Sequence, residues 1–224
     1  MLIDNPFDEI SKLLSVPCHN LSEKDWDELK SISRHPDYEV RLYLAENLSD
    51  IHCPESEALL LELLNDDDSL VVASACDSLS FSNSLQVLTA LKTCTCSANY
   101  IVRGFAYLSI GEVLKKNEMK SENYNFLLSS FKKEKSKWVK ASIAYALCLN
   151  ESSDKHIIYI EELLFGKRYN FRISALNLFD ELLSNEAISD KDRLVNILLT
   201  QSKKERNKIV LNKINSLLNR IGEN

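Results

Sequence analysis

One feature leaves few folds open to this chain: the same apolar pattern returns five times at nearly constant spacing. The segments align on the anchors Val40, Val71, Val102, Val139 and Phe171, which lie 31, 31, 37 and 32 residues apart. Four positions after each anchor stands Leu44, Ala75, Ala106, Ile143 or Ala175, and eight positions after it Leu48, Leu79, Ile110, Leu147 or Phe179. Residues at these offsets share one face of an α-helix, and the small ones let a neighbouring backbone approach closely. A second amphipathic stretch follows each segment: Glu57–Leu64, Leu85–Leu91, Tyr124–Phe131, His156–Leu164 and Arg193–Leu199. Polar runs such as Asn65-Asp66-Asp67-Asp68-Ser69 separate the stretches and supply caps for the next helix. A helix pair of this kind cannot bury its apolar faces alone, and stacking on its neighbours solves that problem.

Composition agrees. The chain has only four glycines and four prolines, the last of them Pro54. A sandwich or barrel needs many turns that demand those residues, so the chain is predicted to be all-α. No stretch approaches the roughly 18 consecutive apolar residues of a membrane span, and the start, MLIDNPFDEI, does not read as a secretory signal. The six cysteines have no framework spacing, and Cys76 and Cys148 fall in apolar helical stretches, where cysteine acts as a small hydrophobe. Reduced thiols and a cytoplasmic location are the expectation. With no glycine- or serine-rich linker, residues 1–224 read as one domain. Its N-terminal cap is expected at about 1–34 (Trp26, Leu29, Ile32), its repeats at about 35–200 and its C-terminal cap at about 201–224 (Val210, Ile214, Leu217, Leu218). The 37-residue step implies an insertion around Lys115 to Lys137.

The pattern resembles the HEAT repeat family, whose first helix often carries a valine-arginine step followed by spaced alanines. Val40-Arg41 and Val102-Arg103 match that step in full, Val139-Lys140 and Phe171-Arg172 nearly, and Val71-Val72 departs from it. The resemblance covers about residues 35–200. It implies a right-handed superhelical solenoid of about five HEAT-like helix pairs with terminal capping helices, second helices generally lining the concave surface. It implies architecture and no particular activity, because HEAT arrays serve many unrelated roles.

Charge is the functional signal. The net charge of −6 divides sharply: residues 1–80 carry 18 acidic against five basic residues, and residues 81–224 carry 15 against 22. Glu55, Glu57, Glu62, Asp66, Asp67 and Asp68 concentrate on the second helix of the first repeat and its exit turn. They are the expected partner-binding residues, since a wall of one sign speeds association with a partner of the other. The competing reading makes them a solvated face and helix caps, but a cap role alone would recur in every repeat alike. Lys132, Lys133, Lys135, Lys137 and Lys140, then Lys203, Lys204, Arg206 and Lys208, form basic clusters broken by Glu134 and Glu205. With a pI near 5.4, nucleic acid is not the expected partner.

No catalytic motif is legible: there is no nucleophile elbow, phosphate-binding glycine loop or zinc-helix motif. Glu161-Glu162 diverge by about 100° on a helix and cannot form a dyad. Cys18-His19 and His52-Cys53 match no structural zinc spacing and read as unrelated, so neither a metal nor any cofactor is expected. His156 is expected to cap a second helix. Tyr38, Tyr100, Trp138 and Tyr169, just before four anchors, are expected to pack at the helix start, with a recognition ridge as the alternative. The expectation is a non-catalytic module that captures a basic protein. Bacterial immunity proteins, which cover a cognate toxin, are similar in kind; an adaptor subunit and a HEAT-like DNA glycosylase are the alternatives.

Overall fold

A computed structural model describes residues 5–117, 120–151 and 154–222. Among them are thirteen α-helices and no strand. The chain divides into two compact units, Met1–Asn117 and Glu118–Asn224, and the division falls inside the irregular 37-residue step.

The first unit holds α1 (Pro6–Leu14), α2 (Glu23–Ile32), α3 (Tyr38–Asn47), α4 (Pro54–Leu63), α5 (Ser69–Ser78), α6 (Leu85–Cys94) and α7 (Tyr100–Lys116). The odd-numbered helices stack in chain order, and α2, α4 and α6 each pack on the odd helix that follows. Local chemistry fixes where the odd helices begin. Asp37 accepts from the Glu39 N–H at 2.9 Å, Asp68 from Leu70 at 2.7 Å and Asn99 from Ile101 at 2.8 Å. Each cap stands three residues before its anchor, satisfying an N–H that a helix start leaves open.

The second unit holds α8 (Ser121–Lys133), α9 (Lys137–Glu151), α10 (Ile157–Leu164), α11 (Tyr169–Ser184), α12 (Lys191–Ser202) and α13 (Lys208–Gly222). Here α9, α11 and α13 stack, and α8, α10 and α12 each pack on the next helix. Both units are built of stacked helix pairs, the α-solenoid arrangement.

The core lies where the recurrence puts it. All ten residues at the +4 and +8 offsets are 0% exposed, whether alanine, leucine or phenylalanine. Val40, Val71, Val102 and Val139 are buried too. Phe171 differs: it is half-buried, with the Arg168 guanidinium 5.6 Å from its ring centroid, so its face is closed by a cation rather than by core. The N-terminal cap is a full helix pair, because α1 buries Ile10 and Leu13 and packs on both α2 and α3. At the other end α13 buries Val210, Ile214 and Leu217. Part of the long step lies in longer helices: α3 to α6 have 10 residues each, whereas α7 has 17 and α8 has 13.

Candidate functional site

The acids singled out by sequence divide according to what they do in the fold. Arg41, the residue after the first anchor, is buried. Its Nε and Nη2 donate to the Asp66 carboxylate at 2.7 and 2.8 Å, and Nη2 also reaches Asp67 at 2.7 Å. Its Nη1 donates to the carbonyls of His35 and Pro36 at 2.7 and 3.3 Å. One guanidinium therefore ties the loop before α3 to the loop before α5. Burial raises the Asp66 carboxyl, but the Arg41 hydrogen bonds and charge outweigh it and hold it below the usual carboxylate range.

The same clamp recurs in the second unit. Arg172 donates to both oxygens of Glu205, at 2.7 and 2.9 Å, and to the carbonyls of Gly166 and Lys167. Burial would raise Glu205, yet Arg172 and the neighbouring N–H donors bring it down to about 2. Arg103 makes the equivalent bonds to the carbonyls of Ser97 and Ala98. The valine-arginine step is thus a structural device: its arginine sits where it can gather carbonyls from the loop before its own helix.

The remaining acids are less committed. Asp68 is the cap of α5. Glu62 meets Lys30 at 3.2 Å and Arg34 at 3.6 Å, linking α4 to the end of α2. Glu57 accepts from the Ser82 hydroxyl at 2.7 Å. Glu55 is exposed on the first turn of α4 and opens onto a pocket.

That pocket, of about 750 Å³, is lined by Cys18, His19, Glu23, Trp26, Asp27, His52, Cys53 and Glu55, together with Leu21. The described lining includes three carboxylates and no lysine or arginine. Two expectations are corrected here. Cys18 and Cys53, read as reduced thiols, are joined by a disulfide with Cα atoms 6.7 Å apart. The two Cys/His dipeptides, read as unrelated, lie together. Cys18 opens the 3-10 turn between α1 and α2, and Cys53 precedes α4 in the turn between α3 and α4. These are equivalent turns of consecutive helix pairs, so a separation of 35 residues, near the repeat step, brings them side by side. The period was the signal that pairs them. The next turn continues the series, with the Phe81 ring stacked on His52 at 4.4 Å. His52 Nε2 lies 2.8 Å from the Ser49 carbonyl, which only accepts, so the Nε2–H donates there. Sγ of Cys18, Sγ of Cys53 and a Glu55 carboxylate oxygen all lie within 4.8 Å of one another.

A hydrogen bond with Cys94, then burial, push the Cys76 thiol up, and burial pushes Cys148 up to about 12. Both behave as small hydrophobes rather than nucleophiles. Glu161 pairs with Arg193 and Glu162 with Lys137, so the two carboxylates diverge as expected. His156 is buried and its side chain caps nothing. Trp138 is buried, but Tyr38, Tyr100 and Tyr169 are 39%, 40% and 53% exposed, which corrects their expected packing role. Each is the first residue of its helix. No helix among the described residues is long and apolar enough to cross a membrane.

No curated protein matches the sequence. Among solved structures, the chain is similar to one from the complex of CpcE and CpcF of phycocyanin lyase from Nostoc sp. PCC7120. The identity is 14% and the TM-score 0.44, over 92% of this chain and 98% of that one. Residues 27–111, from α2 into α7, match the family model described as HEAT repeats.

Proposed function

We propose that this chain is a non-catalytic protein-binding module that takes a basic partner at the carboxylate-lined pocket between α2 and α4. The observation that carries the reading is the set Glu23, Asp27 and Glu55: all three are exposed, they share one pocket, and no lysine or arginine is in its described lining. A pocket of one sign attracts a partner of the other. Asp66 and Asp67 are engaged by Arg41, Glu62 by Lys30 and Arg34, Glu57 by Ser82 and Asp68 by the helix start it caps, so these five contribute less. The narrower reading, an immunity protein that covers a cationic toxin, draws its support from this charge preference alone.

The test is fluorescence anisotropy with a labelled oligolysine peptide at low and high salt. Binding is expected at low salt and should weaken steeply once the Debye length falls to about 10 Å. Reversing Glu23, Asp27 and Glu55 to lysine should abolish it, while reversing Lys132, Lys133, Lys135 and Lys137 to glutamate should not. The acids are exposed, so each change should leave stability within about 0.5 kcal/mol. Unchanged peptide binding by the folded acid-reversed variant sinks the reading.

A further inference from the structure

We infer that Cys18 and Cys53, in their reduced form, bind one divalent cation of the zinc class together with Glu55. The inference does not rest on the partner-binding reading, although Glu55 belongs to both.

The donor set carries it. Two cysteine sulfurs and a carboxylate oxygen already lie within 4.8 Å of one another, supplied by two successive turns of the stack. Zinc takes thiolate, imidazole and carboxylate in a tetrahedron, with Zn–S bonds of about 2.3 Å, which sets two sulfurs about 3.8 Å apart. Once the bond between them is broken, a small side-chain rotation about a Cα separation of 6.7 Å supplies that spacing. Thiolates select zinc over magnesium or calcium.

The surroundings fit a cation. Glu23 and Asp27 add negative charge to the lining, and both histidines of the dipeptides line the same pocket. His52 is the more prepared of the two for the fourth position. Its Nε2–H is engaged by the Ser49 carbonyl and its ring is held against Phe81, the outer-sphere support that metal-binding imidazoles use.

The chemistry balances simply. A phosphine reductant gives two electrons to the disulfide, becoming phosphine oxide with one water and leaving two thiols. The cation then displaces both thiol protons and forms two metal–sulfur bonds. In the oxidised chain the sulfurs are held by each other, so the site is closed.

The experiment is a cobalt titration of the full chain, reduced with phosphine and freed of reductant without air, followed by zinc competition. One equivalent of cobalt should give thiolate-to-metal charge-transfer absorption and the visible bands of a tetrahedral ion, both erased by one equivalent of zinc. Oxidised protein should show neither. Cys18→Ser and Cys53→Ser should each abolish the charge-transfer band, and Glu55→Gln, which leaves the sulfurs untouched, should weaken affinity roughly 10-fold or more. Circular dichroism follows the fold throughout. A reduced chain that stays helical yet takes no cobalt overturns the inference, as does equal binding by oxidised protein. A reduced chain that loses helicity and does not regain it with zinc overturns it equally, since binding energy here is folding energy. No partner is present in the titration, so its failure leaves the oligolysine result standing.

Discussion

Glu205 illustrates how one carboxylate can hold two repeats together. Its side chain is 3% exposed and accepts both arms of Arg172, while its Oε1 also accepts the N–H groups of Arg206 and Asn207. Its folded pKa of about 2 lies below the ordinary glutamate value, so the stabilisation is fully present above that ordinary value, about 4.3. It is lost as pH falls towards 2. Glu205→Gln should cost about 2–3 kcal/mol at neutral pH, because it leaves a nearly buried guanidinium without its counter-charge. Urea unfolding at neutral and at acid pH checks this: the variant should lose much less stability on acidification than the native chain. Parallel losses in both would remove Glu205 from the acid sensitivity of the second unit.

At the scale of the element, the aspartates between α4 and α5 look interchangeable in sequence and are not. Asp68 caps one N–H, a role worth about 1 kcal/mol when replaced by alanine. Asp66 accepts a bidentate bond from buried Arg41 and also the Asp68 N–H. Asp66→Ala should therefore cost more, about 2–4 kcal/mol, tempered by the pairing that Asp67 retains. Thermal unfolding of the two variants should rank them in that order, and the reverse ranking would mean that the cap, not the clamp, organises this loop. The distinction matters for binding experiments: charge reversal at Asp66 tests the fold, whereas at Glu23, Asp27 or Glu55 it tests the surface.

Over the whole chain, the net charge of −6 and the interrupted lysine clusters set an expectation about nucleic acid. Lys132, Lys133 and Lys135 are exposed and Lys140 lies 5.3 Å from the Phe131 ring centroid, in place of a continuous basic track. Duplex DNA should give no anisotropy change at moderate salt. Binding that weakens with salt by several phosphate contacts' worth, or excision of alkylated bases, would favour the glycosylase alternative. The helices, their faces and their period were determined by the sequence itself, because each follows from neighbours three or four residues apart: Leu44, Ala75, Ala106, Ile143 and Ala175 could be placed in the core from spacing alone. The cap Asp68, in the polar run before α5, was legible for the same local reason. Contacts between repeats were not. Only the stacking decided that Arg41 would take Asp66, 25 residues on, that Arg172 would take Glu205, 33 on, and that Cys18 would meet Cys53, 35 on. Such pairs join loops about one repeat apart, and that spacing becomes contact between particular side chains only when the repeats are laid one on the next. The apolar faces dictate that stacking, and the polar side chains of the turns then meet whichever neighbours it brings beside them.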